Sequence, residues 1–213
     1  MRLLRELNRL LMVFSLLVLT CAAYAENHTL KNLYFSAETG WSTMAHGHVS
    51  PYQFKDQKNF GYHLSMGYLF PISDKFKFGP EIGYGYYGKI SYANPTNLIV
   101  YYESYGWSTL ANLTYKATRK IDLALKGGFT EVSQHYDISG PNVTTGGFYQ
   151  RAFNPTIVIA SSYSLSQHTS IGLMYTHIFG NSAPLTSDPH FTFRNVNQIC
   201  SVNAVMVGVA YSV

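Results

Sequence analysis

Beyond residue 25, this 213-residue chain has no stretch of about twenty consecutive apolar side chains. Helical crossing of a bilayer about 30 Å thick is therefore excluded for that part. Charge is also scarce, with Lys, Arg, Asp and Glu making up only 12% of the residues. Removing Arg2, Arg5, Arg9 and Glu6 takes the formal net charge from +4 to +2. That balance is too small to argue for a nucleic-acid partner, and none is expected. Cysteine is limited to Cys21 and Cys200. If Cys21 is removed with the N-terminal segment, Cys200 stands alone and no intrachain disulfide is available.

Aromatic residues are plentiful, at 15%, led by 18 Tyr. Tyr combines an apolar ring with a polar tip, which suits a membrane–water boundary. The N-terminus reads as an export signal. Arg2, Arg5 and Arg9 precede an apolar run from Leu10 to Leu19, broken only by Ser15, and Ala23-Tyr24-Ala25 supplies small residues for cleavage. The expected division is a signal peptide at 1–25 and a single domain at 26–213. Lipidation at Cys21 is the weaker reading, because Thr20 precedes it where a small residue is usual.

Within 26–213 the dominant pattern is alternation, and its clearest example is the end of the chain. Val205, Val207, Val209, Tyr211 and Val213 alternate with Met206, Gly208, Ala210 and Ser212. A period of two sends successive side chains to opposite faces of a strand. Seven further segments repeat it: 33–41, 60–70, 76–86, 105–115, 121–130, 153–165 and the stretch around Ile171–Tyr175. The first places Leu33, Phe35, Ala37, Thr39 and Trp41 against Tyr34, Ser36, Glu38 and Gly40. The second places Phe60, Tyr62, Leu64, Met66, Tyr68 and Phe70 against Gly61, His63, Ser65 and Gly67.

Three short turns join these segments, at Pro71-Ile72-Ser73-Asp74, Thr118-Arg119-Lys120 and Ser166-Gln167-His168. In the first, Asp74 is expected to bond its own backbone. Four long connections alternate with the turns, at 43–59, 89–104, 133–151 and 180–197. The first half of the third is a possible strand extension beyond the membrane. The expected fold class is all-β, an eight-stranded antiparallel up-and-down transmembrane β-barrel. Its long connections lie outside the cell and its short ones in the periplasm. A soluble barrel with its aromatic face inward keeps the same periodicity, but it would leave Gly, Glu and Lys covering the exterior. Small inner residues fit a narrow lumen better. Pro80 and Pro155 fall inside expected strands, where each should mark a bulge or a strand rim.

The inner face carries Glu38, His63, Lys77, Glu81, Lys116 and Lys126. Buried charges are costly unless paired, so these residues form the candidate polar network, a salt-bridge and hydrogen-bond plug. Other constellations are weaker. Gly83-Tyr84-Gly85-Tyr86-Tyr87-Gly88 matches a dinucleotide fingerprint formally, but its glycines lie in a strand with no helix N-terminus to hold a pyrophosphate. Inward Gly in a crowded barrel is the better reading. His46-Gly47-His48 offers only two metal ligands, without Cys or paired carboxylates beside them.

His168-Thr169-Ser170 has the spacing of a lipid A deacylase pair, yet it sits in a short turn with no acid before Asp188. His177 has Phe179 where that nucleophile would stand, and acids are too few for an omptin-like protease. A hydroxyl without an oriented base is not an activated nucleophile. No catalytic residue, enzyme activity, cofactor or metal is expected.

The segments GYHLSMGYLFPISDKFKFGPEIGYGYYG and SIGLMYTHIFGN…VNAVMVGVAYSV, with the eight-strand rhythm, resemble the OmpA-like eight-stranded outer-membrane β-barrel proteins. That group includes small opacity-type surface antigens. The resemblance implies a bacterial outer-membrane location, insertion by the barrel assembly machinery, and contact with membrane lipid and lipopolysaccharide. It makes Tyr211, third from the end, and Val213, in place of the usual terminal aromatic, the candidate assembly signal. It also implies a structural and surface-interaction role, adhesin-like, with a host-surface or phage ligand met by loops 43–59, 89–104, 133–151 and 180–197. A narrow passive pore is the alternative, and a lipid A-modifying enzyme a more distant one.

Overall fold

The computed structural model describes residues 32–46, 53–93, 99–140, 143–182 and 199–213. The signal-peptide reading at 1–25 falls outside them. Ten strand segments follow one another: β1 (Leu33–Met44), β2 (Gln53–Lys58), β3 (Phe60–Tyr68), β4 (Phe70–Pro71), β5 (Phe76–Ala93), β6 (Ile99–Lys116), β7 (Ile121–Gly140), β8 (Val143–Ser164), β9 (Thr169–Ile178) and β10 (Val202–Ser212). Around the sheet, β3, β1, β10, β9, β8, β7, β6 and β5 pair in turn, and β5 pairs back onto β3. All these ladders are antiparallel, and β2 and β4 extend the β3 position at its two ends, also against β5. The result is a closed eight-stranded barrel, which leaves no sheet edge to be satisfied by lipid.

The direction of the faces separates the membrane barrel from its soluble counterpart. Trp41, Trp107, Leu125, Phe153 and Val207 point outward and are exposed, Phe153 by 74%. On β8 the outward band runs from Phe153 through Ile157 and Ile159 to Tyr163. At about 3.3 Å per residue and a tilt of about 40° that distance is about 25 Å along the membrane normal, the height of a barrel's apolar band.

All three short turns are built the same way. Ser73 Oγ accepts from the Phe76 amide at 3.1 Å, Thr118 Oγ1 from Ile121 at 3.0 Å, and Ser166 Oγ from Thr169 at 3.0 Å. A hydroxyl three residues ahead of the new strand satisfies an amide that the tight turn leaves free. In the first turn this role falls to Ser73 rather than to Asp74, because the hydroxyl sits at the position that repeats in the other two.

The long connections are shorter than their sequences suggest. Region 43–59 contains the end of β1 and all of β2. Of region 89–104, residues 89–93 and 99–104 are strand, and of 133–151, residues 133–140 and 143–151 are; 94–98 and 141–142 lie outside the described residues. Most of 180–197 lies outside the described residues. The cause is a change of face. Below, the strands put apolar residues outward; above, Ile90, Tyr92, Val100, Tyr102, Val132 and Tyr136 point inward and are buried. On β5 the change is made by a bulge, where the register to β6 shifts between Tyr86 and Lys89. Gly88 sits there at φ 95°, a left-handed conformation, with a would-be Cβ only 2.4 Å from the Lys58 carbonyl oxygen. Gly is the residue that tolerates both. The Gly83–Gly88 motif is thus two inward glycines and one bulge glycine.

Neither proline sits at a shift of register. Pro155 is the last β8 residue facing β9: its carbonyl accepts from Phe179 N–H at 2.9 Å. The Phe179 carbonyl, which a residue other than proline would serve through its own N–H, instead accepts from the Asn154 side-chain amide. Opposite Pro80 the ladder is interrupted between β3 and β4, and Gly79 gives the Tyr68 carbonyl room to approach. One proline is thus a rim and the other a gap in the ladder, each placed where no donor is required.

Candidate functional site

The lumen is built in two layers. The lower one is polar and centres on Glu81 of β5, which is 1% exposed. Lys126 Nζ of β7 donates to Glu81 Oε2 at 2.6 Å, and the Tyr34 hydroxyl of β1 donates to the same oxygen. Asn112 Nδ2 of β6 donates to the Tyr34 oxygen at 2.8 Å and, more weakly, to Glu81 Oε2 at 3.4 Å. Thr114 then donates to Asn112 Oδ1 at 3.1 Å. Four strands are tied across the barrel by one carboxylate. Tyr34 reaches it because Gly67 on β3 has no side chain: a Cβ there would lie 2.6 Å from the Tyr34 hydroxyl oxygen.

A second group lies beside it. His63 Nδ1 is 3.3 Å from Glu38 Oε2, and Nε2 is 3.5 Å from the Ser108 hydroxyl. An ionised carboxylate only accepts, so Nδ1 carries the proton in this arrangement. Ser36 and Ser65 share a hydrogen bond at 2.7 Å, and higher up Thr130 and Thr156 share another at 2.7 Å. Both Lys126 and Glu81 are buried, and a charge pair removed from water holds only while its geometry and hydrogen bonds stay complete.

The upper layer is apolar. Met44, Ile90, Tyr92, Val100, Tyr102, Val132, Ile178 and Val202 form one buried cluster with Ile199 and Cys200, which precede β10. Cys200 Sγ accepts from Gln134 Nε2 at 2.9 Å, and burial pushes its thiol up to about 11. A thiol so desolvated is a packing group rather than a nucleophile. The bridge between Asn181 and Cys200 ties both ends of the last long connection over this layer. Alternation did not reveal this layer, because its apolar residues occupy the face that lower down belongs to Gly, Ser and charge.

The candidate network residues divide. Glu38, His63, Glu81 and Lys126 lie in the polar layer. Lys77 and Lys116 are exposed at the short-turn mouth and have no ion-pair partner among the described residues. Tyr34, Asn112, Thr114 and Ser108 belong to the network without having been singled out by charge. All four did have a signal, their inward parity on the first and fourth strand segments.

Tyr211 lies opposite Phe35 on β1 and stacks on His168 at 5.9 Å. His168 Nδ1 contacts the Ser212 carbonyl oxygen at 2.9 Å, and Val213 N–H donates to Leu33 O at 2.9 Å. His46 stacks on Phe54 at 4.3 Å, while His48 lies outside the described residues. His177 contacts Asn203 Oδ1 at 2.8 Å and packs edge-on to Phe179. Among the described residues no group of three or more His, Cys, Asp or Glu is placed to hold a metal.

Residues 28–206 match the family described as the OmpA-like transmembrane domain. No curated protein matches the sequence. Among solved structures, Neisserial surface protein A superposes with a TM-score of 0.52 at 13% identity, covering 85% of this chain and 97% of that one. The attachment invasion locus protein Ail of Yersinia pestis gives 0.49 at 10% identity, covering 85% and 98%. The β-barrel domain of Pseudomonas aeruginosa OprF gives 0.43 at 11%, covering 86% and 98%. At such identities the likeness is one of fold.

Proposed function

From the premise that this chain belongs to the OmpA-like transmembrane domain family and is a bacterial outer-membrane barrel, we propose that it is a closed anchor for a surface-interaction crown, adhesin-like in role. In this reading it is exported by a cleaved signal peptide, inserted by the barrel assembly machinery, and bathed by lipid and lipopolysaccharide. The observation that carries it is the reversal of faces on β5–β7. Above the apolar band these strands continue with a polar outside and an apolar inside, as a water-soluble barrel does. Extending strands into water, around a core of their own, serves a protein that presents a rigid surface outside the membrane.

The outer wall of that crown suits contact with another surface. Lys89 lies 4.5 Å over the Tyr101 ring, and His135 stacks on Tyr149 at 4.4 Å. Aromatic rings held by a neighbouring charge or ring offer contact area at low entropic cost. A narrow passive pore is the poorer reading, because the buried apolar layer crosses the lumen. Partner identity, whether host surface or phage, lies with the long connections between the strands.

The experiment replaces residues 94–98 and 183–198 by short Gly-Ser linkers and leaves β1 to β10 intact. Binding of cells to a host matrix should fall while the folded protein keeps its faster, heat-modifiable migration on a denaturing gel. Unchanged binding with both segments replaced would remove the proposal.

A further inference from the structure

We propose that the short-turn mouth of the barrel is a vestibule for a phosphate-type oxyanion, entered from the periplasm. This rests on the barrel's fold and orientation and is independent of any surface-binding role. Below the Glu81–Lys126 network lies a lumen cavity of about 160 Å³, which opens into a mouth of about 680 Å³. Lys77, Thr114, Asp122, Ser170 and Ser212 line both, so the two are continuous. The apolar layer above makes the passage blind: what enters from this end must leave by it.

The charges of the mouth are unbalanced. Lys75, Lys77, Lys116, Arg119 and Lys120 face Asp74 and Asp122. Lys120 is partly occupied, 5.7 Å over the Tyr163 ring. Lys77 and Lys116 are different, because their strand parity turns them to the inner face and neither is ion-paired among the described residues. Asp122 is the cross-strand neighbour of Lys116, yet the two form no ion pair. Two inward ammonium groups thus have no ion-pair partner among the described residues, and they lie beside hydroxyls from Thr114, Ser170 and Ser212. Lysines supply point charge to a phosphate-type group and hydroxyls supply hydrogen bonds to its oxygens. A mouth with low-dielectric walls also focuses its positive potential on entering anions. Either a phospholipid headgroup of the inner leaflet or a free phosphate carries the required chemistry.

The test uses the full chain folded in a non-ionic maltoside detergent, with inorganic phosphate titrated by calorimetry. Saturable binding should weaken about tenfold or more in the K77Q/K116Q double variant, the loss expected for charge-assisted hydrogen bonds. Both lysines are exposed, and heat-modifiable migration verifies that the variant folds. K55Q/K58Q, at the opposite end, should bind as the parent does. Absence of saturable binding, or equal affinity in K77Q/K116Q, overturns the proposal. Repeating the titration in phosphatidylglycerol nanodiscs separates the sources. Loss of phosphate binding there marks the lipid headgroup as the occupant, and retention marks a free phosphate; both results keep the mouth as the site.

Discussion

Glu81 is the residue on which the most structure converges, since it accepts from Lys126, Tyr34 and Asn112 in the lower lumen. Glu81→Ala leaves the Lys126 ammonium buried without its anion, and removing one member of such a pair costs about 3–5 kcal/mol. Replacing both, as Glu81→Met with Lys126→Met, should recover part of that loss, because no ammonium is left buried without its anion while the Tyr34 hydroxyl still loses its acceptor. Urea unfolding in lipid vesicles checks both; equal destabilisation by the single and double variants would mean that packing, not charge pairing, is what Glu81 supplies.

Cys200, above the apolar band, makes a different prediction. Its folded-state thiol is raised from its ordinary value of 9.0 to about 11 by burial. The fold therefore favours the neutral form. Its contribution is complete below the unfolded value and is lost as pH rises from about 9 towards 11. Iodoacetamide should leave Cys200 unmodified in folded protein at neutral pH and label it after boiling, and Cys200→Ala should flatten the alkaline part of the stability profile. Ready labelling of the folded protein would place the thiol in water.

At the scale of the strand, β7 carries both environments on one outward face, with Leu125 in the band and His135 above it. Leu125→Arg should cost about 2–4 kcal/mol, the penalty of a lipid-facing cation near the midplane. His135→Arg should stay within about 0.5 kcal/mol, as surface changes do. Similar losses at both positions, measured by unfolding in vesicles, would mean that the band extends over the crown.

This contrast also explains what could be read in the sequence. The membrane-crossing parts of the eight strands and the three turns are legible because one rule, apolar outward, holds along each of them. The crown is not legible by that rule. Val100 and Tyr102 occupy the parity that on the same strand belongs to Ser108 and Asn112 lower down. Gly, Thr and Asp, which read as loop residues, stand there on strands, as Asp137, Gly140 and Thr144 do. Glu38, His63, Glu81 and Lys126 were legible as inward charges. Which partner each takes depends on barrel register, and no local pattern carries that.

For the whole molecule the decisive question is whether anything passes through it. Eight strands leave an interior only wide enough for side chains to fill. Here the filling changes character with height: a carboxylate-centred network below, then the Thr130–Thr156 pair, then a buried layer of Tyr, Ile, Val and Met. An ion climbing from the short-turn mouth would trade water for Glu81 and Lys126 and then meet an apolar constriction, which excludes water and gates by dewetting. Planar bilayers containing the folded protein should therefore show no steady conductance step, even in high salt, where surface electrostatics are screened. Brief flickers, if seen, should disappear when Ile90 and Val132 are enlarged to Phe and persist in K77Q/K116Q, because the barrier lies in the upper layer and not at the charged mouth. A stable, wide conductance in the parent protein would contradict the closed upper layer, and with it the reading of the barrel as an anchor rather than a passage.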